Sequence, residues 1–315
     1  MERPHDSQGW SAEALHKDGA PIPGGDSRAW SLALPDPSPI PVLIAVPHAG
    51  RDYPASLVDR LRHPARSALK LEDRYVDRVG ETIARETGAA LLVAHAPRAM
   101  IDLNRAVDEM DWDMVCGVRP ASAPPVQGRR ARSGLGLVPR RLSGIGELWK
   151  RRLEPAELEA RIACVHEPYH QALSDALGAI RKRWGAALLI DLHSMPPLGS
   201  RRGPQAAPEF VFGDRFGASC DGLLCATAFD HLGAHGRRVA HNRPYAGGYV
   251  LERHAAPGRN IHAFQMEVCR AAYLDDALSE PGPGFASVVR VLGGLVRRLA
   301  GEVAALGRGT AQAAE

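Results

Sequence analysis

The sequence predicts an α/β fold: a mostly parallel or mixed central sheet with helices on both faces. Two observations carry this. Apolar runs of strand length alternate along the chain with helical segments, as a sheet covered on both sides requires. Polar residues able to do chemistry then stand where those runs end: His48, the stretch from Arg98 to Arg105, His193 and Glu267. In open α/β sheets, ligands collect at the carboxyl ends of the strands.

Residues 1–39 are rich in Pro, Gly, Asp and Ser and read as a loose, partly disordered lead-in with a short edge strand near Trp30–Leu34. A strand follows in PVLIAVPHAG (41–50). LEDRYVDRVGETIARETG (71–88) sets Val76, Val79, Ile83 and Ala84 at helical spacing, with Gly88 as a stop. AALLVAHAPRAMIDLNR (89–105) is a strand running into irregular chain. Residues 111–146 have no sustained period and read as a long excursion near the site.

Residues 154–185 predict a long helix, with Pro155 in its first turn and a kink at Pro168. A strand follows at 186–192. Residues 209–217 read as a strand and a turn, 221–236 as a helix, and 238–255 as a strand entering a Gly-Gly loop. A strand in 261–275 ends around Glu267–Arg270, and an amphipathic helix spans 283–306. One domain over 40–306 with a flexible tail at 307–315 is the expected organisation.

Composition narrows the function classes. The net charge of +3 and the 5% aromatic content make nucleic acid a poor candidate partner. The arginine-dense GRRARSGLGLVPRR (128–141) fits phosphate contact or a solvated, substrate-facing loop. Five cysteines without a CxxC argue against a disulfide framework and for a reducing cytoplasm. No apolar run has the length to span a bilayer, and the N-terminal residues lack an apolar signal core.

His48 and His193 each end a buried-looking run, and imidazole is the commonest zinc ligand. Either one alone also fits a hydrogen-bonded strand end. A third ligand would be an acid. Glu72 and Asp73 are the candidates, although acids also favour a helix's first turn. Asp191, two residues before His193, could orient a ligand or be an ordinary polar strand end. Glu267 stands inside AFQMEVC, where a carboxylate is costly unless paired or used. It fits a general base beside an activated water, or a salt bridge. Arg98, Asp102, Asn104 and Arg105 in PRAMIDLNR suit an anionic small substrate, since a guanidinium can grip a carboxylate with two parallel hydrogen bonds, or a surface charge cluster. DLHSM (191–195) lacks the Gly-x-Ser-x-Gly elbow of a serine nucleophile.

VPHAGRDYP, LEDRYVDRV, RAMIDLNRA, GLGLVPRR, EPYHQAL, LLIDLHSMPP, FVFGDRFGASC, NRPYAGGYV and FQMEVCR run in order over roughly residues 40–275, and together they resemble the N-formylglutamate amidohydrolases. The resemblance implies a zinc-dependent hydrolase, one Zn2+ per chain, that releases formate from N-formyl-L-glutamate in histidine breakdown. It implies a phosphorylase/hydrolase-like fold, similar to zinc carboxypeptidases and aspartoacylases.

It assigns His48 and His193 as ligands, Glu267 as the catalytic acid/base, and Asn104 and Arg105 as carboxylate-binding residues. Arg98 or Arg243 would form a second clamp. Tyr249, beside the Gly-Gly loop, would line the acyl pocket. Carboxypeptidase-type sites use His-x-x-Glu, but Arg51 stands at that spacing here, so the resemblance points to Asp73 as the acidic ligand, with Glu72 its rival. Asp191 and Asp102 would stand behind the ligands. The expected partner is a small anionic N-acyl amino acid, with no nucleic acid and no membrane, in a monomer or small homo-oligomer. Other readings are a carboxypeptidase-like or different N-acyl amino acid hydrolase, and a non-catalytic binding protein on the same fold.

Overall fold

The computed structural model describes residues 14–117, 128–200, 203 and 206–312. Parts of the expected lead-in (1–13), excursion (118–127) and tail (313–315) lie outside the described residues. In chain order the elements begin with β1 (Ala14–Asp18), β2 (Trp30–Pro35), β3 (Val42–Val46), α1 (Ala55–Val58), α2 (Pro64–Leu71), α3 (Val76–Thr87) and β4 (Ala90–Ala94). The excursion carries α4 (Arg129–Arg132) and a small hairpin, β5 (Arg141–Leu142) with β6 (Gly146–Glu147). Then come α5 (Pro155–Arg161), α6 (Glu167–Trp184), β7 (Ala187–Met195), β8 (Phe210–Gly213), α7 (Gly222–Ala234), β9 (Val239–His241), α8 (Tyr249–His254), β10 (Ile261–Cys269) and α9 (Phe285–Gln312).

The main sheet is mixed and eight-stranded, in the order β1-β2-β4-β3-β7-β10-β8-β9. Its centre, β4-β3-β7-β10, is parallel, while β1, β2 and β8 pair antiparallel to their inner neighbours. Period-2 alternation divides two cores between its faces. Leu43, Ala45, Ala187, Leu189 and Ala263 join Tyr169, Leu173 and Leu177 of α6. Val42, Ile44, Leu188, Ile190 and Phe264 join side chains of α3, α7 and α9. Such fully covered central strands read as continuous apolar runs, which is why the sequence shows them.

Several expectations are corrected. The lead-in is not loose from Ala14 onward: β1 and β2 extend the sheet, so β2 is an inner strand and β1 the edge. The helix expected from 71 begins only at Val76. The Asp73 N–H donates to the His48 carbonyl (2.9 Å), and the Leu69 carbonyl that a continuous helix would offer it accepts from Arg270 (3.1 Å). Tyr75, at φ 57°, completes the break.

The long helix at 154–185 is interrupted by a π-helical turn, Ile162–His166. Pro168 has no N–H for the Cys164 carbonyl, so the ladder shifts just before it. β7 continues past Leu192 to Met195 because β10 pairs with it along its whole length. In the segment 238–255, β9 is short and α8 starts directly after the Gly-Gly pair. α9 runs beyond residue 306 to Gln312; Gly307 is not a stop but packs against the turn at Trp184 and Gly185, where a side chain would collide.

Candidate active site

On the α6 face of the sheet, apolar residues give way to polar ones toward the carboxyl ends of β7 and β10. Asp191 and His193 continue the row of Ala187 and Leu189, and Gln265 and Glu267 continue the row of Ala263. All four are buried. Pro47 and His48 follow β3, the strand beside β7. The break between α2 and α3 delivers Asp73, and the irregular chain after β4 delivers Arg98 to Arg105.

The two imidazoles meet with ring centroids 4.7 Å apart. Each has one nitrogen held by a buried carboxylate: His48 Nε2 lies 2.6 Å from Asp102 Oδ1, and His193 Nε2 lies 2.9 Å from Asp191 Oδ2. Those acids accept, so the rings carry their protons on Nε2. Both Nδ1 atoms then face Asp73 Oδ2, at 3.8 Å from His48 and 3.1 Å from His193. Glu72 turns away into an ion pair with Arg74 (2.9 Å). Asp73 is the acid brought to the histidines.

Electrostatics reflect this crowding. Burial and Arg98 push His48 down to about 4, against the pull of Asp102. Burial opposes charge on His193, but Asp191 and Asp73 together hold it well above the usual histidine range. Asp73 is held well below the carboxylate range: burial opposes this, but His193, His48 and Arg270 outweigh it. Asp102 is likewise held down, against burial, by Arg98 and His48.

His48, Asp73 and His193 offer three ligand atoms within 4.8 Å of one another. Zinc bonds to nitrogen and oxygen of about 2.0–2.1 Å imply tetrahedral edges of about 3.3 Å. The 3.1 and 3.8 Å separations bracket that value. The donor set, with each histidine oriented by a carboxylate behind it, fits a divalent metal.

Glu267 stands opposite His193 in register. Burial pushes its carboxyl up to about 7, with His193 opposing and Asp73 adding to the rise. Gln265 Nε2 donates to its Oε1 (2.7 Å). Asn104 is a hub: its Oδ1 accepts from the Val250 N–H (2.9 Å), and its Nδ2 lies 3.3 Å from Gln265 Oε1 and 3.4 Å from His193 Nε2. Gly248 packs so tightly on Asn104 that a Cβ there would collide with it. Arg98 donates to Asp102 Oδ2 through both Nε and Nη2 (2.9 Å each). Arg105 Nε and Nη1 donate to the carbonyls of Leu135 and Asn104.

Arg243 is exposed, in the loop that leads to Gly248. The Tyr249 ring packs on His166 and His170, and its hydroxyl accepts from Arg253 (2.7 Å).

Two residues escaped sequence reasoning. Arg270, buried, donates to Asp73 Oδ1 (3.3 Å), the Glu72 carbonyl and Ser194 Oγ (3.1 Å), fixing the loop that presents Asp73. Its position three residues past Glu267, just beyond the strand, was the available signal. Arg130 is pushed down by lost hydration and then by Arg105 and Arg98, so it is the third cation of one group. Farther along that basic stretch, Arg140 pairs with Asp111 (3.1 Å) and Arg141 with Glu147 (3.2 Å).

Residues 40–274 match the family model for N-formylglutamate amidohydrolase. The chain belongs to the N-formylglutamate amidohydrolase family. It is 28% identical to the N-formylglutamate deformylase of Pseudomonas aeruginosa, over 85% of this chain and 94% of that one. It is 30% identical to the Pseudomonas putida N-formylglutamate deformylase, over 75% of this chain and 83% of that one. Among solved structures, an N-formylglutamate amidohydrolase from Ralstonia eutropha JMP134 superposes with a TM-score of 0.78 at 32% identity, covering 87% of this chain and 98% of that one. As a member of this amidohydrolase family, the chain is a hydrolase acting on an amide bond. Among the described residues, no helix is long and apolar enough to cross a membrane.

Proposed function

We propose that the chain hydrolyses N-formyl-L-glutamate to formate and glutamate, with Zn2+ held by His48, Asp73 and His193. The observation that carries this reading is the convergence of both Nδ1 atoms on Asp73 Oδ2 while Asp102 and Asp191 hold the opposite ring nitrogens. When bound, such an ion supplies Lewis acidity and makes a water nucleophilic near neutral pH.

The chain's own groups perform the rest. Glu267, raised toward neutrality by burial, is suited to take the proton of the attacking water and return it to the departing amine. Gln265 fixes the carboxylate for that exchange. Arg98 and Arg105 supply the positive field that receives a substrate carboxylate, and Arg130 in α4 and Arg243 in the loop before Gly248 add further cations. Asn104 holds Arg105, the Gly248 loop and β10 in one arrangement. Buried acids (Asp73, Asp102, Asp191, Glu267) are thus accompanied by more exposed arginines, Arg130 and Arg243 among them, which suits a negatively charged formyl amide.

The test is metal content and formate release in the same samples, for wild type and His193→Ala. Activity lost in the variant together with a zinc content lower by one ion per chain supports the proposal. Metal bound with no formate released, but with turnover of another N-acyl amino acid or a short peptide, would keep the site and replace the substrate. No metal after zinc is added back would overturn it.

A further inference from the structure

A second group of donors converges at the far edge of the sheet. Asp214 follows β8, Cys225 lies in the first turn of α7, and His241 ends β9. His241 Nε2 is 3.0 Å from Asp214 Oδ2 and 3.7 Å from Cys225 Sγ, and all three ligand atoms lie within 4.8 Å of one another. A nitrogen, an oxygen and a sulfur therefore face one point.

We propose that Asp214, Cys225 and His241 form a second divalent-metal site, selective for a thiophilic ion such as Zn2+. The spacing suits that ion: zinc bonds of about 2.0–2.1 Å to N and O and about 2.3 Å to S imply tetrahedral edges of about 3.3 Å for N–O and 3.6 Å for N–S. The observed 3.0 and 3.7 Å stand close to both. Thiolate with imidazole and carboxylate favours zinc-like ions over magnesium or calcium.

The donors are also held in place by groups that need not move. The second oxygen of Asp214 accepts from the Gly217 N–H (3.0 Å) and Asn242 Nδ2 (2.7 Å), so Oδ2 is left to face the cluster. The His241 ring is wedged against Phe229 (centroids 5.2 Å apart) and Phe212 (6.0 Å). Arg215, Phe216 and Asn242 all hold positive φ values of 53–58°. Such backbone is costly for residues with side chains and gathers where a site dictates it.

His241 is partly exposed, so an ion has a route in and a solvent-side position for a water. On the ion-free chain, burial and Asp214 push the Cys225 thiol up to about 11. Binding must then expel the thiol proton to solvent as the metal–sulfur bond forms. Asn242 opens the loop that reaches Gly248, which packs on Asn104, so an ion here would also brace that loop.

Cobalt(II) separates the two sites, because the catalytic cluster contains no cysteine. Titration of the metal-free full chain with Co2+ should raise a near-ultraviolet thiolate-to-cobalt charge-transfer band. The band should survive in His48→Ala, vanish in Cys225→Ser and weaken in His241→Gln. Zinc content should be one ion per chain lower in Cys225→Ser than in wild type. Circular dichroism checks that each variant is folded; if Cys225→Ser does not fold, Cys225→Ala takes its place. Absence of the band in wild type, or its persistence without the Cys225 sulfur, would reduce the cluster to a hydrogen-bonded strand edge and overturn the proposal.

Discussion

Glu267 and His193 are register partners on the parallel pair β10–β7, with their side chains on one face of the sheet. Strand pairing alone therefore sets the carboxylate beside the imidazole. Parallel ladders tolerate little slippage here, because shifting one residue would turn Glu267 into the apolar core of Phe264 and Met266. The spacing between acid and imidazole is thus a property of the fold rather than of a loop.

Removing the charge at that position isolates its role. Glu267→Gln keeps volume and keeps a group for Gln265 to contact. It should lower kcat by about 10²–10⁴-fold while metal content stays at the wild-type level. Steady-state formate release with metal analysis of the same preparation checks it. Unchanged kcat would remove Glu267 from the proton transfer.

The acids behind the histidines should control metal affinity. Asp191 touches His193 through Oδ2 alone, so Asp191→Asn preserves that hydrogen bond and removes only the charge. Affinity for Zn2+ should fall by about 10–100-fold, read by competition with a chromophoric chelator, and activity should return when the ion is in excess. An unchanged affinity would make Asp191 a passive strand residue.

Arg105 offers a test of substrate binding. Two of its nitrogens are committed to the Leu135 and Asn104 carbonyls, which aim the remaining donors. Hydrogen bonds to charged groups contribute about 1.5–3 kcal/mol. Arg105→Gln should therefore lower kcat/KM for N-formylglutamate by roughly 10–150-fold, mostly through KM. The loss should shrink for an analogue whose contacted carboxylate is replaced by an amide. Equal losses for both would place Arg105 outside the clamp.

How much of this was legible in the sequence follows from where each signal resides. Buried central strands are short continuous apolar runs, so β3, β4, β7 and β10 stood out, and His48, His193 and Glu267 were visible as polar interruptions of them. β1 was not, because ALHKD has no apolar alternation and joins the sheet through its pairing with β2. The choice between Glu72 and Asp73 was not legible either: neighbouring acids differ only in which way a non-helical break turns them. That break depends on Arg270 and His48, which are distant in sequence. Nor were the contacts of Asn104 with the Val250 N–H and Gln265 Oε1 legible. An amide's partners are set by tertiary packing, and no local pattern announces them.

Buried histidines next to the site should make the protein acid-labile. His170 Nδ1 and His254 Nε2 share a hydrogen bond of 3.0 Å beneath Tyr249, with His166 packed alongside. Burial, then Arg253, pushes His254 down to about 3; burial and the neighbouring His166 and His254 push His170 lower still. In the unfolded chain each would titrate near about 6.5. Between those limits the unfolded state binds protons that the folded state refuses, so stability is full above about pH 6.5 and is lost as pH falls toward 3. Each such group contributes a slope of about 1.4 kcal/mol per pH unit in that window. Urea unfolding at several pH values should show this, and His254→Gln, whose amide cannot titrate, should flatten the slope by about one proton. If wild type and variant keep the same slope between pH 4 and 6, these histidines are not what acid protonates.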